Sequence, residues 1–207
     1  MKVFAVDTTR KIAKIYIFDS EKDSFIVKMD KNLKHSEGLF LYIEKILFDA
    51  KLTLSDIDVF ACITGPGSFT GIRIGAATIK AFNKVCDKKT IAVTNFEVLS
   101  KFIKNGYVLL ESTMSSCYYA EVKGGEILST GVVEKSKINE LVDKKQVVIL
   151  EEEQETIGLE YNNIVVVNTV TEKLREVIFD KINNDEFSTI EPYYLQLSQA
   201  ERNLKND

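Results

Sequence analysis

The sequence runs twice through the same succession of predicted elements, and this repetition constrains the fold more than any other feature. The first half predicts three strands and then alternating helices and strands, in the order β-β-β-α-β-α-β-α. The second half again opens with three strand-like runs and continues as α/β. We therefore expect an α/β fold of two related lobes, residues 1–104 and a smaller C-terminal lobe of residues 105–207, whose final helix or tail packs back on the first lobe.

The individual elements follow from hydrophobic periodicity and from the polar connectors between the runs. The charged run 151–155 is predicted to be a loop, and the polar tail 198–207 is predicted to fray. Strands are predicted at 2–7, 12–18, 24–29, 59–64, 90–93, 107–111, 117–123, 126–133, 146–150 and 164–167, and helices at 36–51, 71–85, 96–104, 137–144 and 171–182.

Composition excludes whole classes of protein. Of the 207 residues, 45% are hydrophobic and 28% are charged, which is the balance of an ordinary globular chain and not of a disordered one. No apolar run approaches the roughly 18 residues of a membrane span. The N-terminus reaches Asp7 before a signal peptide could form, and the three cysteines show no disulfide spacing. We expect a cytoplasmic protein with no membrane partner.

One residue count restricts the chemistry. His35 is the only histidine, so a two-histidine metal motif cannot form, and no C-x-x-C pair replaces it. A Ser-His-Asp triad could use His35 alone. The sequence therefore predicts no metal site and no catalytic residue.

Charge is distributed unevenly along the chain. Residues 1–104 carry 17 Lys and Arg against 12 Asp and Glu, a net +5, whereas residues 105–207 carry 10 against 19, a net −9. A basic half is compatible with a nucleic acid or an acidic partner. Solvated surface with uneven charge explains the difference equally well, and both interpretations stay open.

A glycine-rich loop, Gly65-Pro66-Gly67-Ser68-Phe69-Thr70-Gly71, follows a predicted strand and opens a helix. Such a loop lets the backbone approach a phosphate at a helix N-terminus. It is not a Walker A loop, because the Lys-Ser/Thr ending is missing, and its glycine spacing is not that of a dinucleotide fingerprint. Glycines that supply positive φ and tight packing are the equally weighted alternative.

A second candidate follows the first strand. Asp7-Thr8-Thr9 offers hydroxyls and amides to a phosphate and a carboxylate to magnesium, although a turn that closes the hairpin is the favoured interpretation. Together the two segments predict a vestigial phosphate site of Asp7, Thr8, Thr9, Gly65, Gly67 and Gly71.

Two predicted helices carry unusual faces. In helix 36–51, Leu39, Ile43, Ile46, Leu47 and Ala50 cluster as core residues, while Leu41 and Phe48 fall inside the charged arc. Two apolar residues on that arc predict a partner surface, unless the second lobe or the tail covers them. In helix 71–85, Ile74, Thr78, Phe82 and Val85 are predicted to be buried. The predicted interface comprises Leu41, Glu44, Lys45, Phe48, Arg73, Ala76, Ala77, Lys80 and Lys84.

At these residues the chain resembles the TsaB family, also called YeaZ. The resemblance covers the first hundred residues well and the rest loosely. Its motifs are His35-Ser36 with the first helix, Leu54-Ser55-Asp56-Ile57-Asp58, the highly specific Gly65-Pro66-Gly67-Ser68-Phe69-Thr70-Gly71-Ile72-Arg73-Ile74-Gly75, the opening Val6-Asp7-Thr8-Thr9, and Pro192-Tyr193-Tyr194-Leu195.

The resemblance implies two lobes of the actin/Hsp70/sugar-kinase (ribonuclease H-like) type, each opening β-β-β-α. It also implies a non-catalytic subunit that binds and activates a TsaD-type paralogue. That transferase makes threonylcarbamoyladenosine next to the anticodon of tRNAs reading codons that start with adenine. A TsaE-type ATPase would join the complex, and the chain would contact tRNA as part of that complex. ATP or ADP and magnesium are expected only in the assembled complex, and the free chain could form a homodimer through the same helices.

Two positions depart from the family pattern. Glu111-Ser112-Thr113 stands where relatives often have Asp-Ala-Arg, and Gln196 stands where they often have Arg. Two enzymatic alternatives stay open. One is a small-molecule kinase or ATPase of the same superfold, with Asp7 and Glu111 around magnesium-ATP. The other is a peptidase that uses Ser68 or Ser115 with His35, which no flanking pattern supports.

Overall fold

The computed structural model of the chain describes residues 1–20, 24–30, 34–159 and 162–196. The strands are β1 Lys2–Asp7, β2 Lys14–Asp19, β3 Phe25–Lys28, β4 Val59–Ile63, β5 Lys89–Val93, β6 Asn105–Thr113, β7 Ser116–Lys123, β8 Glu126–Glu134, β9 Gln146–Leu150 and β10 Ile164–Val167. The α-helices are α1 His35–Ala50, α2 Phe69–Cys86, α3 Asn95–Ser100, α4 Ile138–Val142, α5 Gln154–Ile157 and α6 Thr171–Asn183. Short 3-10 helices cover Leu54–Asp56, Lys135–Lys137 and Glu151–Glu153.

The chain divides into two compact units. Unit 1 comprises Met1–Thr94 and Arg175–Tyr193, and unit 2 comprises Asn95–Leu174 with the segment that starts at Tyr194. The division falls at Thr94 and not at residue 104, because α3 packs on β6, β7 and β8 of unit 2. Most of the last helix belongs to unit 1, where Arg175 donates a hydrogen bond to the backbone oxygen of Asp19 at 3.1 Å.

Unit 1 is built on a five-stranded sheet in the order β3-β2-β1-β4-β5. The first three strands form an antiparallel meander, and β4 and β5 continue the sheet in parallel beside β1. β1 and β4 are buried on both faces, as their unbroken apolar sequences require. The helix α1 buries its predicted stripe, Leu39, Ile43 and Ile46, against one face of this sheet.

Unit 2 repeats this topology with the order β10-β9-β6-β7-β8. Here β6, β7 and β8 form the antiparallel meander, and β9 and β10 run parallel beside β6. Its core includes Leu109, Ile149, and Ile138 and Val142 from α4. The sheet of each unit is therefore built from a β-β-β-α succession, which in unit 2 follows α3, and the later strands lie on the same side of the first strand. The predicted α/β fold of two related lobes is confirmed.

Several element predictions differ from the structure; α3, for example, ends at Ser100 and not at residue 104. α2 begins at Phe69, because Ser68 caps the helix by accepting a hydrogen bond from the Gly71 amide at 3.2 Å. The charged run 151–155 is helical and not a loop, because Glu153 turns its carboxylate inward and accepts a hydrogen bond from the Glu111 amide at 2.7 Å. The tail 198–207 lies outside the described residues. Among the residues described, no helix combines the length and apolar character that crossing a bilayer requires.

Candidate functional site

The turn after β1 is held by its own side chains. One carboxylate oxygen of Asp7, Oδ1, accepts hydrogen bonds from the backbone amide of Thr9 at 2.9 Å and from its hydroxyl at 2.7 Å. Asp7, Thr8 and Thr9 are all buried. This is the geometry of an Asx turn, which replaces backbone bonds that the hairpin lacks. The contacts therefore favour the turn interpretation of this segment.

The glycine loop is docked on that turn. The Ser68 amide donates to the backbone oxygen of Thr9 at 2.9 Å, and the Thr8 hydroxyl donates to the backbone oxygen of Gly71 at 2.6 Å. Arg10, which is also buried, donates a longer hydrogen bond of 3.4 Å to the backbone oxygen of Pro66. These bonds make the loop and the β1–β2 turn one buried polar cluster, called the loop–turn cluster below.

The glycines at 67 and 71 allow close approach of two backbones. A Cβ added at Gly67 would overlap the backbone oxygen of Thr9, and one added at Gly71 would overlap that of Thr8. Within the loop, Gly65 has a positive φ, whereas Gly67 and Gly71 do not. Packing, not a left-handed backbone, therefore explains these two glycines. The side of the loop that faces Thr8 and Thr9 is filled by protein, and its nucleotide role stays a prediction.

The first helix presents an apolar face to solvent. Leu41 is 64% exposed and Phe48 is 82% exposed, on the side of α1 opposite its buried stripe. Phe40 is also exposed, at 58%, and its ring meets Phe82 of α2 edge-on at a centroid distance of 6.4 Å. The projection missed Phe40 because it lies near the border of the buried stripe. The sequence could not predict its contact with Phe82, because that contact depends on how α1 and α2 pack together.

The second helix differs from its projection in two ways. Val85 is 84% exposed although the sequence predicted it to be buried, and Ala76 is buried in the core although it was assigned to the interface. The helix is rotated because Gly71 and Gly75 face Thr8, which brings Ile72, Ala76 and Ile79 to the sheet. Ala76 is therefore no candidate for a partner contact.

The remaining predicted interface residues lie at the surface. Lys45 forms an ion pair with Asp49 at 3.3 Å, and Lys80 forms one with Glu191 at 2.8 Å. We define the exposed helix face by its apolar residues Phe40, Leu41, Phe48 and Val85 and its exposed flanking residues Glu44, Lys45, Arg73, Ala77, Lys80 and Lys84.

Both family departures in unit 2 occur at one place. The side-chain amide of Gln196 donates hydrogen bonds to the Ser112 hydroxyl and, at 3.0 Å, to the Tyr118 hydroxyl. Ser112 and Gln196 are 84 positions apart in the chain. The two departures thus complement each other, as a neutral hydrogen-bonded pair. No local pattern in the sequence could have joined them.

We expect the Gln196–Ser112 contact to be measurable as a coupling energy. Gln196→Ala should lower the free energy of unfolding by about 1–2 kcal/mol, because it removes two partly buried hydrogen bonds. Ser112→Ala should cost less, and the double variant should cost less than the sum of the two. Chemical denaturation of all four proteins measures this. Strict additivity would show that the two side chains do not interact in solution.

Two of the three cysteines, Cys62 and Cys117, are buried and poorly suited to nucleophilic chemistry. Burial raises the pKa of the Cys117 thiol to about 11, and the nearby Glu153 and Glu111 carboxylates act in the same direction against Lys135. Burial also raises the pKa of Cys62, with a further contribution from Asp7. Both thiols are therefore protonated at neutral pH. The side chain of His35 lies outside the described residues.

Across the described ranges, no three His, Cys, Asp or Glu side chains come together as a metal site would require. The polar groups of the two candidate segments instead bind one another within the loop–turn cluster. This arrangement can fix the position of α2 relative to β1. It therefore supports the surface that α2 shares with α1.

Comparisons with known proteins place the chain in a family. The family model described as "TsaD: tRNA N6-adenosine threonylcarbamoyltransferase" matches residues 30–150, more than half of the chain. The chain is 26% identical over 153 residues to the tRNA threonylcarbamoyladenosine biosynthesis protein TsaB of Buchnera aphidicola, an alignment that covers 69% of this chain and 71% of that protein. It is 30% identical over 118 residues to a tRNA N6-adenosine threonylcarbamoyltransferase of Novosphingobium aromaticivorans, which covers 53% of this chain but only 34% of that enzyme.

The fold agrees with these matches. The solved structure of YeaZ from Pseudomonas aeruginosa superposes with a TM-score of 0.72 at 17% identity, and the match covers 94% of this chain and 99% of that one. At this identity the likeness shows the fold alone. The chain belongs to the TsaD family of the matching model and is similar to the TsaB (YeaZ) proteins.

Proposed function

We propose that this chain takes part in threonylcarbamoyladenosine modification of tRNA as a non-catalytic subunit that binds and activates a TsaD-type transferase. The modified base would lie next to the anticodon of tRNAs reading codons that start with adenine. Family membership supports the pathway. The exposed helix face is the observation that carries the binding role.

The composition of that face is what a docking surface needs. Four large apolar side chains, three of them on α1, stand exposed within one unit, and the same two helices carry exposed charged residues of both signs, Glu44, Lys45, Arg73, Lys80 and Lys84. Contiguous apolar surface rimmed by polar residues marks interaction sites. Aromatic side chains at the centre of an interface and charged ones at its rim are the usual arrangement. A TsaD-type paralogue would supply a complementary helix pair, and a second copy of this chain could use the same face as a homodimer.

The loop–turn cluster supports the non-catalytic part of the proposal. The Oδ1 atom of Asp7, the carboxylate that a kinase of this superfold would place near magnesium-ATP, accepts two hydrogen bonds from Thr9. The loop that would approach a phosphate packs on Thr8 and Thr9. We therefore propose that ATP or ADP, magnesium and the TsaE-type ATPase bind only in the assembled complex, which also binds tRNA.

Reconstitution tests the proposal. The TsaD-type transferase of the same organism should form a stable complex with this chain. It should modify unmodified tRNA in the presence of threonylcarbamoyl-adenylate only when the chain is added. Size-exclusion chromatography and nucleoside analysis of the tRNA measure the two steps. A transferase that is fully active alone and does not bind the chain would refute the proposal.

We also predict that the isolated chain does not turn over ATP. Phosphate release by the pure chain should equal that of a buffer blank, and Asp7→Ala should leave it unchanged. Asp180→Ala, which removes an exposed carboxylate of α6, is the control for a change of charge alone. Robust ATP hydrolysis that Asp7→Ala abolishes and Asp180→Ala preserves would favour the kinase alternative.

A further inference from the structure

Three segments of unit 2 meet at the end of the sheet where the strands β6 and β9 begin. The connection from α3 to β6 brings Lys101 and Lys104, the β7–β8 turn brings Lys123, and the α4–β9 turn brings Lys144 and Lys145. Two hydrogen bonds join the α3–β6 connection to the β7–β8 turn. The Gly125 amide donates to the backbone oxygen of Lys104 at 2.9 Å, and the Gly124 amide donates to the side-chain oxygen of Asn105 at 3.0 Å. Lys123 lies opposite Asn105, and Gln146 lies opposite Gly106.

A cavity of about 360 Å³ opens at this meeting point. Its lining, called the basic pocket below, comprises Lys101, Phe102, Ile103, Lys104, Asn105 and Gln146. Lys101 and Lys104 are exposed and line the pocket. Lys144 and Lys145 are also exposed and immediately precede Gln146 in the chain, and Lys145 is paired with Glu121. Two ammonium groups and two side-chain amides at one opening form a set of hydrogen-bond donors suited to oxygen anions.

Charge differs between the two ends of the sheet of unit 2. The five lysines lie at the end where β6 starts, together with carboxylates, of which Glu121 pairs with Lys145 at 3.0 Å. The others are Glu126, Asp143 and Glu97, which lies four residues before Lys101. Among the residues that the structure describes, the opposite end of the sheet has only Lys135 and Lys137 against six carboxylates, Glu111, Glu134, Glu151, Glu152, Glu153 and Glu155. A polyanion is therefore repelled less at the lysine-bearing end than at the opposite end.

We propose that the basic pocket binds the phosphodiester backbone of RNA. The volume is enough for a phosphate with its sugar, and lysines from three segments could follow successive phosphates. An acidic polypeptide is less suitable, because protein interfaces need an apolar centre and this pocket offers one half-buried ring, that of Phe102, at its mouth. The pocket lies in unit 2, whereas the exposed helix face lies in unit 1, so one chain could hold a transferase and touch its tRNA with different surfaces. The choice of RNA rests on the tRNA-modification role proposed above.

The test measures binding of a fluorescent, unmodified tRNA transcript to the full chain without transferase, as a function of salt. Lys101→Glu with Lys104→Glu should weaken binding at least tenfold at low salt. The magnitude of the slope of log K against log salt should fall by about 1.4–1.8, since about 0.7–0.9 is lost for each of the two phosphate contacts. Lys28→Glu with Lys34→Glu, which makes the same charge change on exposed residues of unit 1, should have little effect.

Several results would overturn the proposal. They are no tRNA binding by the wild-type chain, an equal loss in both double variants, or competition by poly-glutamate as effective as that by RNA. The last result would point to an acidic protein partner. If the first variant fails to fold, Lys123→Glu with Lys144→Glu tests the other two segments in the same way. Because no transferase is present, failure here leaves the transferase-binding proposal to its own experiment.

Discussion

Replacing Gly71 with valine should lower the melting temperature of the chain by about 10 °C. The new Cβ would overlap the backbone oxygen of Thr8, which is fixed by β1 and cannot rotate away as a side chain could. Overpacking of a tight site costs roughly 1–3 kcal/mol, and more when backbone must move. In a chain of this length each kcal/mol shifts the melting temperature by about 2–4 °C. Gly67→Val should act in the same direction, through Thr9.

Thermal unfolding by circular dichroism measures the effect. Gly71→Ala adds the smallest Cβ and should give a smaller but clear loss. Ala81→Val, at an exposed position of the same helix, controls for the lower helix propensity of valine, which amounts to a few tenths of a kcal/mol. If Gly71→Val left stability unchanged but abolished nucleotide binding by the assembled complex, the loop would be a phosphate cradle and not a packing device.

The sheet architecture was predictable because each strand is encoded locally. β1, β9 and β10 have the bounds that their apolar runs predicted, and the two β-β-β-α openings gave the two-lobed fold. Burial on both faces makes such runs continuous, so they are easy to recognise in a sequence. The core stripe of α1 was also predictable, because Leu39, Ile43 and Ile46 follow the helical period without interruption.

The orientation of α2 was not predictable from its period. A projection weighs side chains by hydrophobicity, so it correctly placed Ile74 and Phe82 against the core but turned Val85 inward as well. In the structure the two glycines face the protein because only a bare Cα fits beside Thr8, and Val85 is left outside. Gly71 and Gly75 determine this packing because they lack a side chain. A hydrophobic pattern is built from side chains, so it does not predict such a contact.

Long-range polar contacts were equally out of reach. The Gln196 side-chain amide donates a hydrogen bond to the Ser112 hydroxyl. The Glu153 carboxylate accepts a hydrogen bond from the Glu111 amide, although the sequence around Glu153 predicts a solvated loop. A buried carboxylate satisfied by a backbone amide 42 residues away depends on the register of β6 and the helical turn after β9. Sequence analysis found the family departures at Ser112 and Gln196, but only the fold shows that they form one pair.

Leu41→Glu together with Phe48→Glu should abolish binding of the TsaD-type transferase and any self-association, while leaving the monomer folded. Both side chains are mostly exposed, and the core of α1 lies on its other side at Ile43 and Ile46. The loss of binding should be large, because docking would bury two unpaired carboxylates where two apolar side chains were expected. That costs several kcal/mol, on the order of 2–7 for a polar group and more for a charge. Since about 1.4 kcal/mol is a factor of ten in affinity, a micromolar complex would not survive at working concentrations.

The measurement is co-elution with the transferase, with sedimentation for the free chain and circular dichroism for the fold. Met114→Glu with Leu128→Glu is the matched control: both residues are exposed and apolar, both lie in unit 2, and the charge change is the same. The control should bind normally. A double variant at Leu41 and Phe48 that is well folded and still co-elutes would remove the exposed helix face from consideration. One that fails to fold would show that the chain itself covers these two residues in solution. Loss of binding in the control as well would show that added negative charge, and not this face, determines the interaction.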